Sequence, residues 1–168
     1  MTPRILSSSK AEIVERPRRV PNADFFVPSG MVDLMVDHAE AGLSENVEVL
    51  GLIVGRFYRD ADGVYAVAER VISVPTVGDE FSVAICESGQ PELVDAMDDL
   101  AEGEAVVGWY HSHLGIGCFM SDTDVRTQDG LFGGECGFAV VVDPVKGELA
   151  FFDSNPGEPM PARTIIME

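Results

Sequence analysis

The chain has 168 residues, 46% of them hydrophobic, which allows one globular domain with a buried core and argues against a disordered chain. Twenty-nine acidic residues against eleven basic ones give a net charge of −18. So acidic a surface repels nucleic acid and anionic membranes, and we expect neither as a partner. No apolar run reaches the length of a membrane span and no signal-like segment begins the chain, so we expect a cytoplasmic protein.

Two further features of the composition bear on the cell in which the protein works. Two lysines stand against nine arginines, and an acidic, lysine-poor composition favours a salt-rich, archaeal-type cytoplasm that screens self-repulsion. The alternative is an acidic protein that meets a cationic partner. Cys86, Cys118 and Cys136 show no paired spacing, so we expect reduced thiols, with Cys86 and Cys136 as small buried hydrophobic residues.

The first part of the chain predicts an extension, a helix and a hairpin. Residues 1–24 are polar and predict an N-terminal extension. Apolar residues then recur at helical spacing, with Ser29 as a candidate cap and Gly42 as the residue that ends the helix. The runs VEVLGLIVGRFY (47–58) and VYAVAERVISVP (64–75) predict two paired strands joined by a turn.

The second part predicts alternating strands and helices. The expected elements are a strand at 79–87, a helix at 91–101, a strand at 105–111, a helix at 121–132, a hairpin at 137–153 and a last strand at 164–167. Residues 25–153 would form one domain of the α/β class, with helices packed on a mostly hydrophobic central sheet, and residues 154–168 a tail.

The segment WYHSHLGIGCFMSDTD carries the chemistry. His111 and His113 are separated by one residue at the end of an apolar strand, so both imidazoles project from the same side. Gly115 and Gly117 let the chain fold back, so that Asp124 can face the histidines. Two imidazole nitrogens and one carboxylate oxygen suit zinc and leave a fourth position open, as in catalytic zinc sites.

Two alternatives stay open at this point. A histidine at a strand end is more often a hydrogen-bonded structural residue than a ligand, and spacing alone leaves the two interpretations equally supported. Glu48 interrupts the apolar run VEVLGLIVG, where a buried carboxylate needs a partner or becomes protonated. It is either a rim residue that faces water or a base beside a reacting water molecule.

Glu48, the HSH of residues 111–113, Ser121 and Asp124 together resemble the signature of the JAMM (MPN+, Mov34/PAD-1) metalloprotease family. The resemblance covers Val27 to Asp153 and is strongest to the deubiquitinating subunits of the proteasome lid. We expect this chain to be an archaeal homologue of those subunits. The flanking text that carries it is VEVLGLIVGRF, VVGWYHSH, the G-x-G-C stretch and AVVVDP. Leu114 departs from it, because it stands where proteasome-type sequences carry proline.

The resemblance implies a single MPN domain with a curved, mostly antiparallel sheet flanked by helices, an architecture similar to that of cytidine deaminases. It implies a Zn²⁺ ion held by His111, His113 and Asp124. Glu48 would take a proton from the attacking water and pass it to the departing amine. Ser121 would donate a hydrogen bond to the oxyanion.

The function that the resemblance implies is zinc-dependent hydrolysis of the isopeptide bond between ubiquitin, or an archaeal ubiquitin-like modifier, and a lysine. An extended substrate tail would pair with the segment TVGDEFSVAI. Its contact residues would be Thr76, Val77, Phe81, Ser82 and Val83. A homodimer or a second MPN domain is an expected partner. A peptidase that processes a sulfur-carrier protein or short peptides, and a non-catalytic MPN scaffold, stay open as alternatives.

Overall fold

The computed structural model describes residues 24–74, 95, 98–132, 136–153 and 160–168, which form one sheet of seven strands and two helices. The strands are β1 (Phe25–Pro28), β2 (Leu50–Asp60), β3 (Gly63–Val74), β4 (Ala105–Ser112), β5 (Phe138–Asp143), β6 (Glu148–Asp153) and β7 (Thr164–Met167). The helices are α1 (Ser29–Glu45) and α2 (Asp122–Phe132). Neither of these two helices has the length and hydropathy that a membrane-spanning helix needs.

The strands lie in the order β6-β5-β4-β2-β3-β1-β7. The long central ladders of β2 with β3 and with β4 are antiparallel, as is β5 with β6, whereas β4–β5, β1–β3 and β1–β7 are parallel. The sheet is therefore mixed, although its longest pairings are antiparallel. Register shifts near Val54 in both ladders of β2 are bulges, which bend a strand and increase its twist.

Among the described residues, one helix covers each face of the sheet. Because side chains alternate along a strand, Ile53 and Tyr110 join the cluster under α1, whereas Leu52 and Trp109 join a second cluster on the opposite face. Helix α1 adds Met31, Met35 and Ala39 to the first cluster, and α2 adds Leu131 and Phe132 to the second. The result is a three-layer α/β/α domain, which confirms the α/β class expected from the pattern.

The predicted bounds of α1 are wrong at both ends. Pro28 occupies the N-cap and no side chain caps the helix, so Ser29 is its first residue instead of its cap. The helix continues past Gly42 to Glu45 and ends at Asn46, whose left-handed backbone (φ 58°) closes it. A Cβ on Gly42 would lie 2.4 Å from Val49 Cγ1, so glycine is needed where the chain folds back onto the helix.

Other predicted elements hold with small shifts. The β2–β3 and β5–β6 hairpins, α2 and the last strand are confirmed, and β7 pairs with β1, so the sheet extends past residue 153. Strand β1 was not predicted, because four residues ending in proline are too few to show a period. The strand at 79–87, the extension 1–23 and most of the helix at 91–101 lie outside the described residues.

Candidate metal centre

The sequence-predicted ligands come together at the carboxyl end of β4. Strands β4 and β5 are parallel and α2 connects them, so the start of α2 lies beside the end of β4. His111 and His113 project from this end toward α2, and Asp124 projects from α2 toward them. All three side chains are buried, at 1%, 3% and 6% exposure respectively.

The first turn of α2 fixes the direction of the Asp124 carboxylate. The Ser121 backbone N–H donates to Asp124 Oδ2 at 2.7 Å, and the Asp124 backbone N–H donates to Ser121 Oγ at 3.2 Å. These reciprocal bonds form a capping box, in which the side chain at the third helical position reaches back over the helix start. Asp124 Oδ1 then lies 3.3 Å from His111 Nε2, and Oδ2 lies 3.4 Å from His113 Nε2.

The arrangement fits a divalent cation. The ligand atoms of His111, His113 and Asp124 all lie within 4.8 Å of one another. His113 Nδ1 donates to the Gly117 carbonyl at 2.6 Å, which leaves the Nε2 lone pair directed into the cluster. His111 Nε2 is buried and has no hydrogen-bond partner among the described residues, as expected of an atom that serves as a metal ligand. Three protein ligands are the number that catalytic zinc sites use.

Asp124 and His113 shift each other's pKa. Burial raises the pKa of Asp124, but the close approach of the His111 and His113 rings outweighs it and holds that pKa below its ordinary value. Burial lowers the pKa of His113, but contacts with Asp124 and the Gly117 carbonyl outweigh it and raise that pKa. Asp124 is thus a carboxylate at neutral pH, the form that ligates a metal.

Glu48 lies beside this cluster. It is 7% exposed and precedes β2 by two residues, so it is not inside the strand as predicted but it is buried. Leu50 pairs with His111, and the Ser112 N–H donates to the Val49 carbonyl at 3.0 Å. Continuing this antiparallel register brings Glu48 opposite His113 on the same face, and its negative charge contributes to the raised pKa of His113.

Two residues that sequence reasoning missed hold α2 against the sheet. Trp109 is fully buried and stacks on His111, with ring centroids 4.6 Å apart and planes 16° apart. Its indole N–H donates to the Gln128 side-chain oxygen, and Gln128 Nε2 donates to the Gly137 carbonyl at 3.4 Å. Gln128 follows Asp124 by one helical turn, and this spacing of two polar residues on the core face of an amphipathic helix was the available signal.

The remaining predicted residues divide into described and undescribed ones. Cys118 is half-buried and its thiol donates to the Val141 carbonyl at 3.3 Å, as expected of a packed thiol. Cys136 is exposed, so the expectation that it is buried is wrong; it precedes β5 instead of lying in it. Cys86 and the proposed tail-binding residues lie outside the described part of the chain. Those residues are Thr76, Val77, Phe81, Ser82 and Val83.

The three-layer domain and the buried His-x-His and Asp cluster at a strand end define an α/β protein whose side chains could hold a metal ion of the kind that hydrolases use. A profile of the family described as JAB1/Mov34/MPN/PAD-1 ubiquitin protease matches residues 23–131, and the chain belongs to this family. The resemblance carried by the signature residues is therefore confirmed at the level of the family.

Two curated relatives and one solved structure extend this comparison. The chain is 39% identical over 131 residues to the 26S proteasome non-ATPase regulatory subunit 14 of Drosophila melanogaster, an alignment that covers 73% of this chain and 41% of that protein. It is 33% identical over 146 residues to the ubiquitin carboxyl-terminal hydrolase RPN11 of Saccharomyces cerevisiae, covering 85% and 46%. The chain thus spans less than half the length of these relatives.

The solution structure of protein DSY2949 from Desulfitobacterium hafniense has a similar fold. The TM-score is 0.64 at 22% sequence identity, and the match covers 86% of this chain and 93% of that one. At this identity the likeness concerns the fold alone. The relatives named here are eukaryotic and this structure is bacterial, so the expectation of an archaeal homologue is not confirmed.

Proposed function

We propose that the protein is a zinc-dependent isopeptidase that hydrolyses the bond between the C-terminus of ubiquitin, or of a ubiquitin-like protein, and a lysine amine. The observation that carries the proposal is the buried cluster of His111, His113 and Asp124 with the Glu48 carboxylate beside it. Family membership supports it, as do relatives whose names identify a ubiquitin hydrolase and a proteasome subunit.

Three side chains supply the proposed zinc-binding atoms. His111 Nε2, His113 Nε2 and the Asp124 carboxylate would hold the ion, since imidazole and carboxylate in this number are typical zinc ligands. Zinc held there supplies a Lewis acid that makes water more acidic and polarises the scissile carbonyl. The Gly117 carbonyl keeps His113 in the tautomer that can ligate.

Glu48 is the proposed general base and acid. Its carboxylate is buried and close enough to His113 to raise the pKa of that residue, so it would be placed to take a proton from the attacking water. The same group then returns that proton to the lysine amine as the carbon–nitrogen bond breaks.

Ser121 is the proposed donor to the oxyanion. Its Oγ accepts the Asp124 N–H through a lone pair, so the hydroxyl proton is still available to donate. The hydroxyl is only partly buried and lies at the start of the helix that carries Asp124, so it can reach a carbonyl bound at the centre. A hydrogen bond that strengthens as charge develops on that oxygen stabilises the transition state.

Three further parts of the proposal concern substrate, partners and place. The extended modifier tail would pair with residues 76–85, where backbone hydrogen bonds give affinity and side-chain pockets give selectivity. A second copy or another MPN domain would be the protein partner, and conjugates of a ubiquitin-like protein the substrates. The reaction would take place in the cytoplasm.

A substrate comparison tests this function. The purified chain is incubated with a ubiquitin-like domain joined through its C-terminus to a lysine side chain, and separately with a linear fusion of the same domain. We expect cleavage of the isopeptide bond that a chelator abolishes. We expect Glu48→Gln to lower kcat by about 10²–10⁴, whereas the control Glu45→Gln, at an exposed carboxylate nearby, leaves it unchanged.

Two results would contradict the proposal. Cleavage of only the linear fusion, or only of short peptides, would favour the processing peptidase. A chain that binds no zinc and cleaves neither substrate would favour the MPN scaffold.

A further inference from the structure

A buried carboxylate outside the ligand cluster organises the loop that follows His113. Asp143 ends β5 and its side chain is fully buried. Its Oδ1 accepts the backbone N–H groups of Gly115 and Val145 at 3.0 Å and of Lys146 at 3.1 Å. Its Oδ2 accepts the N–H of Gly117 at 2.6 Å. The Asp143 side chain therefore links the loop that contains Gly115 and Gly117, called the glycine loop below, to the β5–β6 turn.

The same loop residue contacts a metal ligand. The Gly117 peptide is bonded on both sides, with its N–H held by Asp143 and its carbonyl accepting His113 Nδ1–H at 2.6 Å. Gly115 and Gly117 have φ values of +90° and +91°, in the region that favours glycine. The loop lacks the ladder bonds of a strand, so the carboxylate is what fixes this peptide's orientation.

The charge state of Asp143 fits this role. Burial raises the pKa of the carboxyl group, but the hydrogen bonds from the Gly117, Lys146, Gly115 and Val145 N–H groups outweigh it and lower that pKa. An ionised carboxylate can accept all four bonds, whereas a protonated one or an amide would point a donor at one of them.

We propose that Asp143 is a positioning residue of the metal centre: through the Gly117 peptide it holds the His113 ring with Nδ1 protonated and Nε2 facing His111 and Asp124. Neutral imidazole can carry its proton on either nitrogen, and only an unprotonated Nε2 can ligate here. The inference deepens the proposed function, on whose metal site it rests. The competing role is a purely structural one, in which Asp143 only shapes the turn at Val145 and Lys146.

The experiment compares Asp143→Ala and Asp143→Asn with the control Val140→Ala. Val140 is a fully buried residue of the same strand that packs in the cluster under α1, away from the glycine loop. The first readout is ¹⁵N NMR of the imidazoles in the metal-free protein at mildly alkaline pH. We expect His113 to have a protonated Nδ1 in the native chain and in Val140→Ala, and to show averaged tautomers in Asp143→Ala.

The second readout is the affinity for Zn²⁺ alone, measured by competition with a chelator. We expect a loss of about tenfold in Asp143→Ala, as is typical of groups that orient a ligand. Asp143→Asn should lose less, because one acceptor oxygen is kept. Val140→Ala should bind as the native chain does. If Asp143→Ala does not fold, Asp143→Asn alone decides the question on both readouts.

Unchanged His113 tautomer and zinc affinity in the folded Asp143 variants would overturn the inference in favour of the structural role. An equal change in Val140→Ala would also overturn it, because general loosening of β5 would then explain the effect. The NMR readout needs neither zinc nor substrate. A chain that proves inactive on isopeptides therefore fails the proposed function without deciding this inference.

Discussion

Ser121 and Asp124 form reciprocal hydrogen bonds at the start of α2. Each backbone N–H is accepted by the other's side chain, so the bonds that begin α2 also aim the carboxylate at the histidines. One residue pair thus combines a cap with a candidate metal ligand and a candidate oxyanion donor. A substitution at Ser121 should consequently affect stability and turnover by separate mechanisms.

For Ser121→Ala we expect kcat on an isopeptide substrate to fall by about 10²–10³, because one oxyanion donor is lost. The free energy of unfolding should fall by about 0.5–2 kcal/mol, because the N-cap is lost. Steady-state kinetics and urea denaturation measure the two effects. Ser121→Thr keeps the hydroxyl and is the control. Full turnover in Ser121→Ala would remove Ser121 from the mechanism.

Asp143 provides a pH-dependent test at the same scale. Its pKa is lowered in the folded chain, so its stabilisation is present above the ordinary aspartate value of about 3.9 and is lost as pH falls through the lowered folded value. We expect Asp143→Asn to cost about 1.5–3 kcal/mol at neutral pH, and the difference from the native chain to shrink in acid. Denaturation across this range measures it.

The control for the loss of one negative charge is Asp62→Asn, at an exposed carboxylate in the β2–β3 turn. It should change the free energy of unfolding little at any pH. A penalty for Asp143→Asn that stays constant into acid would contradict the assigned charge state.

At the scale of elements, the close approach of α1 to the segment 47–49 places Glu48. Gly42 lies inside the helix, and a Cβ there would meet Val49 Cγ1 at 2.4 Å and the Val47 carbonyl at 2.7 Å. Backbone cannot give way as a flexible side chain can. Gly42 therefore fixes the position of the segment that carries Glu48, the proposed base, through close packing alone.

We expect Gly42→Ala to destabilise the fold by about 1–3 kcal/mol through overpacking, despite the higher helix propensity of alanine. Because the segment must shift, kcat should fall as well. Gly30→Ala is the matched control, since Gly30 lies in the same helix and a Cβ there would meet nothing within 4 Å. That variant should be neutral or more stable by up to about 1 kcal/mol. Equal unfolding free energies for the two variants would contradict the packing argument.

The elements that sequence could predict are those whose signal is local. The β2–β3 hairpin, for example, follows from alternation and a turn. The parallel pairing of β1 with β3 and β7 depends on distant partners that no local period reports. Spacing alone left the candidate ligands undecided, and the family signature singled out His111, His113 and Asp124. The roles of Trp109 and Asp143 had no such local signal, because the burial of a polar group depends on what packs over it.

At the scale of the whole molecule, the net charge of −18 is the strongest feature that the site does not explain. Like charges on a compact chain repel one another, and this repulsion disfavours folding. Raising ionic strength from about 0.01 M to about 0.15 M shortens the screening length from about 30 Å to about 8 Å. Repulsion across much of the surface would then be screened.

We therefore expect the melting temperature to rise with potassium chloride over this range, as calorimetry would measure. The same trend with sodium chloride would show that screening and not a specific ion is responsible. A melting temperature that is flat or falls with added salt would show that the acidic surface does not limit stability.

The central claim is that His111, His113 and Asp124 form a catalytic zinc site served by Glu48. Zinc content and isopeptide turnover, measured on the same preparations of the native chain, Glu48→Gln and Asp124→Ala, test it most directly. The account predicts zinc and turnover in the native chain, zinc without turnover in Glu48→Gln, and neither in Asp124→Ala. Zinc retained in Asp124→Ala, or native turnover in Glu48→Gln, would contradict it.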